Sequence, residues 1–136
     1  MPAAITDAQK IAVFREMARA WQAKEWRTCA NLFAPQGVLH SVMLDPVVGR
    51  EVIYERIRKL EAPNKNVFLR IHRIGVIDGA LFVEREDEIV LDGTSRSAPV
   101  VGVLTFEGSH IILWREYYDR AQLMRTAGHA PAAQAH

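Results

Sequence analysis

Several features that would restrict the function of this chain are scarce or missing from its sequence. Cys29 is the only cysteine in 136 residues, which excludes an internal disulfide and suits a reducing compartment, with the cytoplasm expected. Lysine and arginine total 17 against 16 acidic residues, so the charge excess of nucleic-acid-binding surfaces is missing. No apolar run approaches the roughly 18 residues of a membrane span, and no secretory signal is evident. We therefore expect neither a nucleic-acid nor a membrane partner.

Motifs for metals and nucleotides are missing as well. The five histidines have no ligand spacing such as His-Glu-x-x-His, so a metal site is not expected. There is no glycine-rich phosphate loop, and we expect no cofactor. Cys29 is predicted to be a small residue of a helical core.

Apolar periodicity and turn residues predict α+β structure. Thr6 and Gln9 have the spacing of a capping box, and apolar residues recur after them at helical spacing. Asp-Gly and Glu-Gly pairs separate the later apolar runs, as in a meander of hairpins. We predict helices that begin at Thr6 and that cover residues 24–33 and 50–60, and strands over residues 37–44, 67–77, 81–91, 98–106 and 110–118.

Helices followed by consecutive strands favour a cone-shaped α+β fold. In it, three helices pack on the concave face of a curved antiparallel or mixed sheet, and the interior is the natural pocket. The length and the 49% apolar content suit one domain. We assign this domain to residues 1–125 and expect residues 126–136, which are small and polar, to form a flexible tail.

A charged run interrupts the strand predicted over residues 81–91. Successive side chains on a strand point to opposite faces, so Arg85 and Asp87 share the face that is otherwise aliphatic. A buried charge is unfavourable unless it is paired. The pattern therefore predicts a charge pair inside the cone, either as a structural ion pair or as part of a site.

The last strand adds a second acid. Glu116 alternates with Trp114 and Tyr118, which favours an inward direction. With Arg85 and Asp87 it would form a group of formal charge −1, and an apolar cavity would favour the uptake of one proton. A carboxylic acid beside a carboxylate is what acid–base catalysis requires. Which acid holds the proton stays open, because coupled groups share their titration.

Further inward side chains are candidates for the wall of this pocket. They are apolar or aromatic, and each of them either contacts a ligand or only packs the core. The candidates are Trp21, Leu60, Leu69, Ile89, Val100 and Tyr118.

The chain contains a Glu-Arg-x-Asp run that ends at Asp87 and a run from Trp114 to Asp119, with Gly102-Val103 before the latter. Together these motifs resemble limonene-1,2-epoxide hydrolase, a family of the NTF2-like, ketosteroid-isomerase-like (SnoaL-like) cone fold. The resemblance implies one-step hydrolysis of an epoxide of a small hydrophobic substrate, without a metal or a covalent intermediate. It implies that Asp87 protonates the epoxide oxygen, Glu116 deprotonates the attacking water and Arg85 bridges the two acids.

The chain departs from the pattern of this family at three positions. Glu116 replaces an aspartate, which moves the carboxylate by one methylene. Leu39 and Ser41 stand where the family holds its water with a tyrosine and an asparagine. Leu39 cannot form a hydrogen bond with its side chain, and Ser41 is shorter than an amide.

Two other functions remain open at this stage. The same cone fold hosts isomerases, cyclases and dehydratases of hydrophobic ring substrates, although no carboxylate lies near Ser41 and Asp45 is predicted in a turn. A non-catalytic module that binds a small molecule or a second subunit is the other possibility. A homodimer is expected through the outer face of the sheet, on which we place Leu104 and Tyr117.

Overall fold

The computed structural model describes residues 3–126, with side chains described as far as Leu123. Within these residues, no helix is both long enough and apolar enough to cross a membrane. Thr126 is the last helical residue, and residues 127–136 of the predicted tail lie outside the described part. The elements are α1 (Asp7–Gln22), α2 (Trp26–Asn31), β1 (Phe33–Ser41), β2 (Val47–Val48), α3 (Arg50–Ile57), a 3₁₀ turn (Arg58–Leu60), β3 (Lys65–Ile77), β4 (Ala80–Leu91), β5 (Thr94–Glu107), β6 (His110–Tyr118) and α4 (Arg120–Thr126).

The strands form one mixed sheet in the order β2-β1-β6-β5-β4-β3. Strands β1 and β6 run parallel, whereas the other neighbours are antiparallel. The helices pack against this sheet, with α1 over β3 and α3 over β1. The predicted α+β cone is therefore confirmed, and its interior lies between the helices and the sheet.

Helix α1 shows how local sequence and core packing act together. The Thr6 hydroxyl accepts a hydrogen bond from the Gln9 amide at 3.1 Å, and the Gln9 side chain accepts one from the Thr6 amide at 2.7 Å. This capping box satisfies amide groups that would otherwise lack partners at the helix start. The buried side of the helix includes Phe14, whose ring meets that of Trp114 edge-on at 5.5 Å. The helix is thereby attached to β6 across the core.

Helix α2 and strand β1 differ from their predicted bounds. The helix expected over residues 24–33 is limited to Trp26–Asn31, because Phe33 is already the first residue of β1. Pro35 lies within β1, where the register with β6 shifts between Phe33 and Val38. A proline lacks the amide needed for a regular ladder, so it is tolerated at such an irregularity.

Two short elements were not predicted. Strand β2 pairs with Val38 and Leu39 of β1. Helix α4 begins after Asp119, whose carboxylate accepts a hydrogen bond from the Gln122 amide at 3.1 Å. The Asp119-x-x-Gln122 spacing is a capping signal that could have identified this helix.

The outer face of the sheet was predicted with one error. Leu104 is fully buried and pairs with Leu81 on β4 and Trp114 on β6, so its side chain points into the core. Residues that alternate with the inward-facing ones on β5 and β6 point outward, and of these Val101 and Tyr117 are exposed on the outer face.

Candidate active site

A cavity of about 270 Å³ occupies the interior of the cone. The structure places on its wall all the site residues predicted from the sequence, and whether they contact a substrate stays a prediction. Leu60 lies at the exposed end, since it is 38% exposed. The predicted residues on the wall are Trp21, Leu39, Ser41, Leu60, Leu69, Arg85, Asp87, Ile89, Val100, Glu116 and Tyr118.

Other side chains on this wall were not predicted as site residues. Leu123 comes from α4, a helix that is too short to be recognised from apolar periodicity. Lys65 lies at the first position of β3, where burial lowers the pKa of its ammonium group. The unpredicted wall residues are Arg56, Ile57, Lys65, Val67, Trp114 and Leu123.

Arg85 joins the two acids of the cavity. Its guanidinium is 1% exposed and donates to Asp87 through Nε at 3.0 Å and through Nη2 at 2.8 Å. It donates to Glu116 through Nη1 at 3.1 Å and through Nη2 at 2.6 Å. Two bidentate contacts fix the planes of both carboxylates, which a lysine could not do.

The position of these groups follows from strand alternation and register. Arg85 and Asp87 are two residues apart on β4 and therefore face the same side. Gly102 on β5 lies between Val83 on one side and Glu116 on the other. Glu116 thus reaches Arg85 across a central strand that has no side chain at this point.

Gly102 leaves the space in which the charged groups meet. A Cβ at this position would lie 2.8 Å from Glu116 Oε2, 2.9 Å from Arg85 Nη1 and 3.0 Å from Trp114 Nε1. The Trp114 indole N–H is buried and has no hydrogen-bond partner among the described residues. This N–H lies beside the Glu116 carboxylate and opposes the rise that burial causes in the pKa of Glu116. The sequence analysis named Gly102 only as part of a motif that resembles the family, and it did not predict this role.

Burial and pairing oppose each other in this group. Burial raises the pKa of Glu116, and the nearby Arg85 opposes that rise without cancelling it. Burial by itself disfavours the charge of Arg85, but the attraction of Glu116 and the hydrogen bonds to Asp87 raise the pKa of the guanidinium above its ordinary value. Arg85 therefore stays charged, and Glu116 is the group with increased proton affinity. Such a site can both release and accept a proton.

The remaining polar groups of the wall are few. The Ser41 and Tyr118 hydroxyls lie 3.0 Å apart and share a hydrogen bond. No group of three or more His, Cys, Asp or Glu side chains within residues 3–126 converges as metal ligands would. Cys29 lies in the core, where burial raises the pKa of its thiol to about 12.

Comparisons with known proteins agree with this geometry. Residues 7–128 match the sequence model of the limonene-1,2-epoxide hydrolase catalytic domain. The epoxide hydrolase EphG of Mycobacterium tuberculosis (strain ATCC 25618 / H37Rv) is 26% identical over 90 residues, which are 56% of this chain and 60% of that protein. The chain thus spans less than two thirds of the length of this curated relative.

Solved structures show the same fold. A structure of an LEH-like epoxide hydrolase from M. tuberculosis superimposes with a TM-score of 0.77 and 22% identity, over 88% of this chain and 90% of the other. A hypothetical protein with a ketosteroid isomerase-like fold from Catenulispora acidiphila DSM 44928, in complex with trimethylamine, superimposes with a TM-score of 0.79 and 20% identity. The match covers 90% of this chain and 96% of the other. Because the family match covers almost all of the described residues, this chain belongs to the limonene-1,2-epoxide hydrolase family.

Proposed function

We propose that this protein adds water to an epoxide of a small hydrophobic substrate in one step, without a covalent intermediate. The observation that carries the proposal is the buried guanidinium of Arg85, which holds the Asp87 and Glu116 carboxyl groups in one apolar cavity. Family membership supports the same chemistry. The reaction needs a proton at the epoxide oxygen and a base at the attacking water, and two carboxyl groups of different protonation supply both.

The proton balance of the proposed reaction closes within this group. Arg85, Asp87 and Glu116 together hold one proton, and in the reactive state Asp87 delivers it to the epoxide oxygen while the carbon–oxygen bond breaks. The water oxygen bonds to that carbon, and its proton passes to the Glu116 carboxylate, whose raised pKa makes it a stronger base. The product is a vicinal diol, and the charge of the group is unchanged. Exchange with solvent after product release returns the proton to Asp87.

The wall of the cavity supports a hydrophobic substrate. Most of its side chains are aliphatic or aromatic, and a volume of about 270 Å³ is near the lower end of ligand pockets, which begin at roughly 300 Å³. Within the described residues, Asp87 and Glu116 are the only acids on this wall. Asp45 is exposed in the loop between β1 and β2, so it supplies no third carboxylate for an isomerase-type reaction.

The test is hydrolysis in water labelled with ¹⁸O. Limonene 1,2-epoxide, cyclohexene oxide and styrene oxide are incubated with the protein, and mass spectrometry measures labelled diol. We expect one labelled oxygen per diol. Asp87→Asn should lower kcat by about 10²-fold or more, because an amide cannot deliver the proton. The control Asp92→Asn, in the exposed turn between β4 and β5, should keep the parent rate.

Two results would contradict the proposal. A parent rate in Asp87→Asn would remove Asp87 from the reaction. Absence of diol from every epoxide would reject the hydrolase, and binding of the same compounds without turnover would then favour a non-catalytic binding module.

A further inference from the structure

The Ser41–Tyr118 pair is a polar contact of the cavity wall in which none of Arg85, Asp87 and Glu116 takes part. Its two oxygens lie 3.0 Å apart, and both side chains are half-buried. Ser41 is the last residue of β1 and Tyr118 the last residue of β6, so the pair links the C-terminal ends of the two parallel strands. The bond links residues 77 positions apart in the chain.

The register places this pair next to the acid that would act as base. Ser41 is the direct partner of Glu116 across the β1–β6 ladder, and neighbouring strands are about 4.8 Å apart. Tyr118 follows Glu116 by two residues and points to the same face. Ser41, Glu116 and Tyr118 all line the cavity, and the register and parity place them next to one another.

The donors and acceptors of the pair suit a water molecule. One hydroxyl donates to the other, so whichever way the bond is oriented, one O–H and several lone pairs remain available. A water in this corner would donate one hydrogen to Glu116 and the other to a hydroxyl oxygen. One lone pair of the water oxygen would accept a hydrogen bond from the free O–H, and the second lone pair would remain for attack on carbon.

Few other groups could orient a water here. Leu39, the neighbour of Ser41 on the same face, is apolar and pairs with Trp114. The Trp114 indole nitrogen is enclosed by protein, and the guanidinium of Arg85 is already bound to both acids. A water held by Glu116 alone would be free to rotate, and misplacement of a reacting atom by about 1 Å can reduce a rate 10²-fold.

We propose that Ser41 and Tyr118 act as one hydroxyl pair that holds the attacking water against Glu116. The inference rests on the proposed epoxide hydrolysis and names the residues that position its nucleophile. The pair is built from two strands, so it does not depend on a polar side chain at Leu39.

The kinetic test uses variants that remove one hydroxyl each. Tyr118→Phe and Ser41→Ala should each lower kcat for the epoxide that the parent converts best by about 10-fold or more, with KM within about twofold. The double variant should be little worse than the poorer single variant, since both act on one water. Ser41→Thr, which keeps a hydroxyl, should retain most of the activity.

The matched control is Tyr117→Phe, one residue earlier on β6. Its side chain is 44% exposed on the opposite face, so it should leave kcat and KM unchanged. Val100→Ala is the control for the shape of the wall. It should change KM more than kcat, because Val100 offers no hydrogen bond.

A crystal structure of the parent separates this inference from the proposed function. We expect an ordered water within hydrogen-bond distance of Ser41 Oγ, Tyr118 Oη and Glu116, and its loss in Tyr118→Phe. That water in a protein that makes no diol would uphold the water site and reject the hydrolase. Absence of the water, or an active parent whose Tyr118→Phe variant has an equal kcat, would overturn the inference.

Discussion

Glu116 is the residue at which burial and pairing compete most directly. Its side chain is 12% exposed and is bound to Arg85, yet its pKa is raised from the ordinary value of 4.5, first because of burial. Asp87, the second acid on the same guanidinium, adds to the rise. The folded protein therefore binds a proton at Glu116 more tightly than the unfolded chain does.

This pKa shift predicts how stability changes with pH. Between pH 4.5 and the raised pKa of Glu116, the folded state binds more protons, so the free energy of unfolding falls as pH rises. Glu116→Gln removes this titration. Urea unfolding from pH 4.5 to 8 should show the parent losing stability relative to the variant over that window. A difference that does not vary with pH would contradict the shift.

Glu51 is the control for that measurement. It is fully exposed, and a hydrogen bond from Arg27 lowers its pKa. The stability difference between the parent and Glu51→Gln should therefore have the opposite pH dependence. The parent should lose stability relative to this variant as pH falls. Solvent screening keeps this effect small.

Gly102 gives a second prediction at the scale of one residue. A methyl group there would lie 2.8 Å from Glu116 Oε2, so Gly102→Ala must displace the Glu116–Arg85 contact. We expect a loss of about 1–3 kcal/mol in the free energy of unfolding and a fall in kcat. Gly75→Ala on β3 is the control, since a Cβ there meets nothing within 4 Å. Equal effects of the two substitutions would show that the space above Gly102 is not needed.

At the scale of elements, the antiparallel meander was readable from the sequence. The turns at Asp78-Gly79 and Asp92-Gly93 have positive φ at both residues, at 50° and 81° and at 51° and 81°. Such two-residue turns connect neighbouring strands in register, so alternation was enough to place Arg85 and Asp87 on the inner face. The site on β4 followed from local rules.

The parallel pairing of β1 with β6 was not readable in the same way. No short turn connects these strands, so nothing local sets Ser41 opposite Glu116. The register of β5 and β6 also shifts at the Phe106–Ile111 pair, and Ile111 is buried although strict alternation would place it on the same face as the exposed Tyr117. The hydroxyl pair and the wall contribution of α4 depend on tertiary contacts between distant parts of the chain, and single-strand patterns do not contain them.

At the scale of the whole molecule, the outer face of the sheet carries a group of exposed apolar side chains. Phe82, Val101 and Tyr117 are 37%, 36% and 44% exposed, and Val101 is the direct partner of Tyr117. Ile77 on β3 is 58% exposed, and the Arg73–Glu84 ion pair lies next to Val101, which is the β5 partner of Glu84. Contiguous apolar surface of this kind is typical of interfaces.

We propose that this outer face pairs with a second copy of the chain. A two-fold interface brings the same patch together with itself, and an apolar centre flanked by an ion pair of both signs is compatible with that symmetry. Sedimentation velocity should give a dimer for the parent. Val101→Lys should give a folded monomer, because it would place two ammonium groups in the apolar centre. The control Val52→Lys, on α3 and 55% exposed, should remain dimeric. A monomeric parent, or a Val101→Lys variant that still dimerises, would show that this face is not the interface.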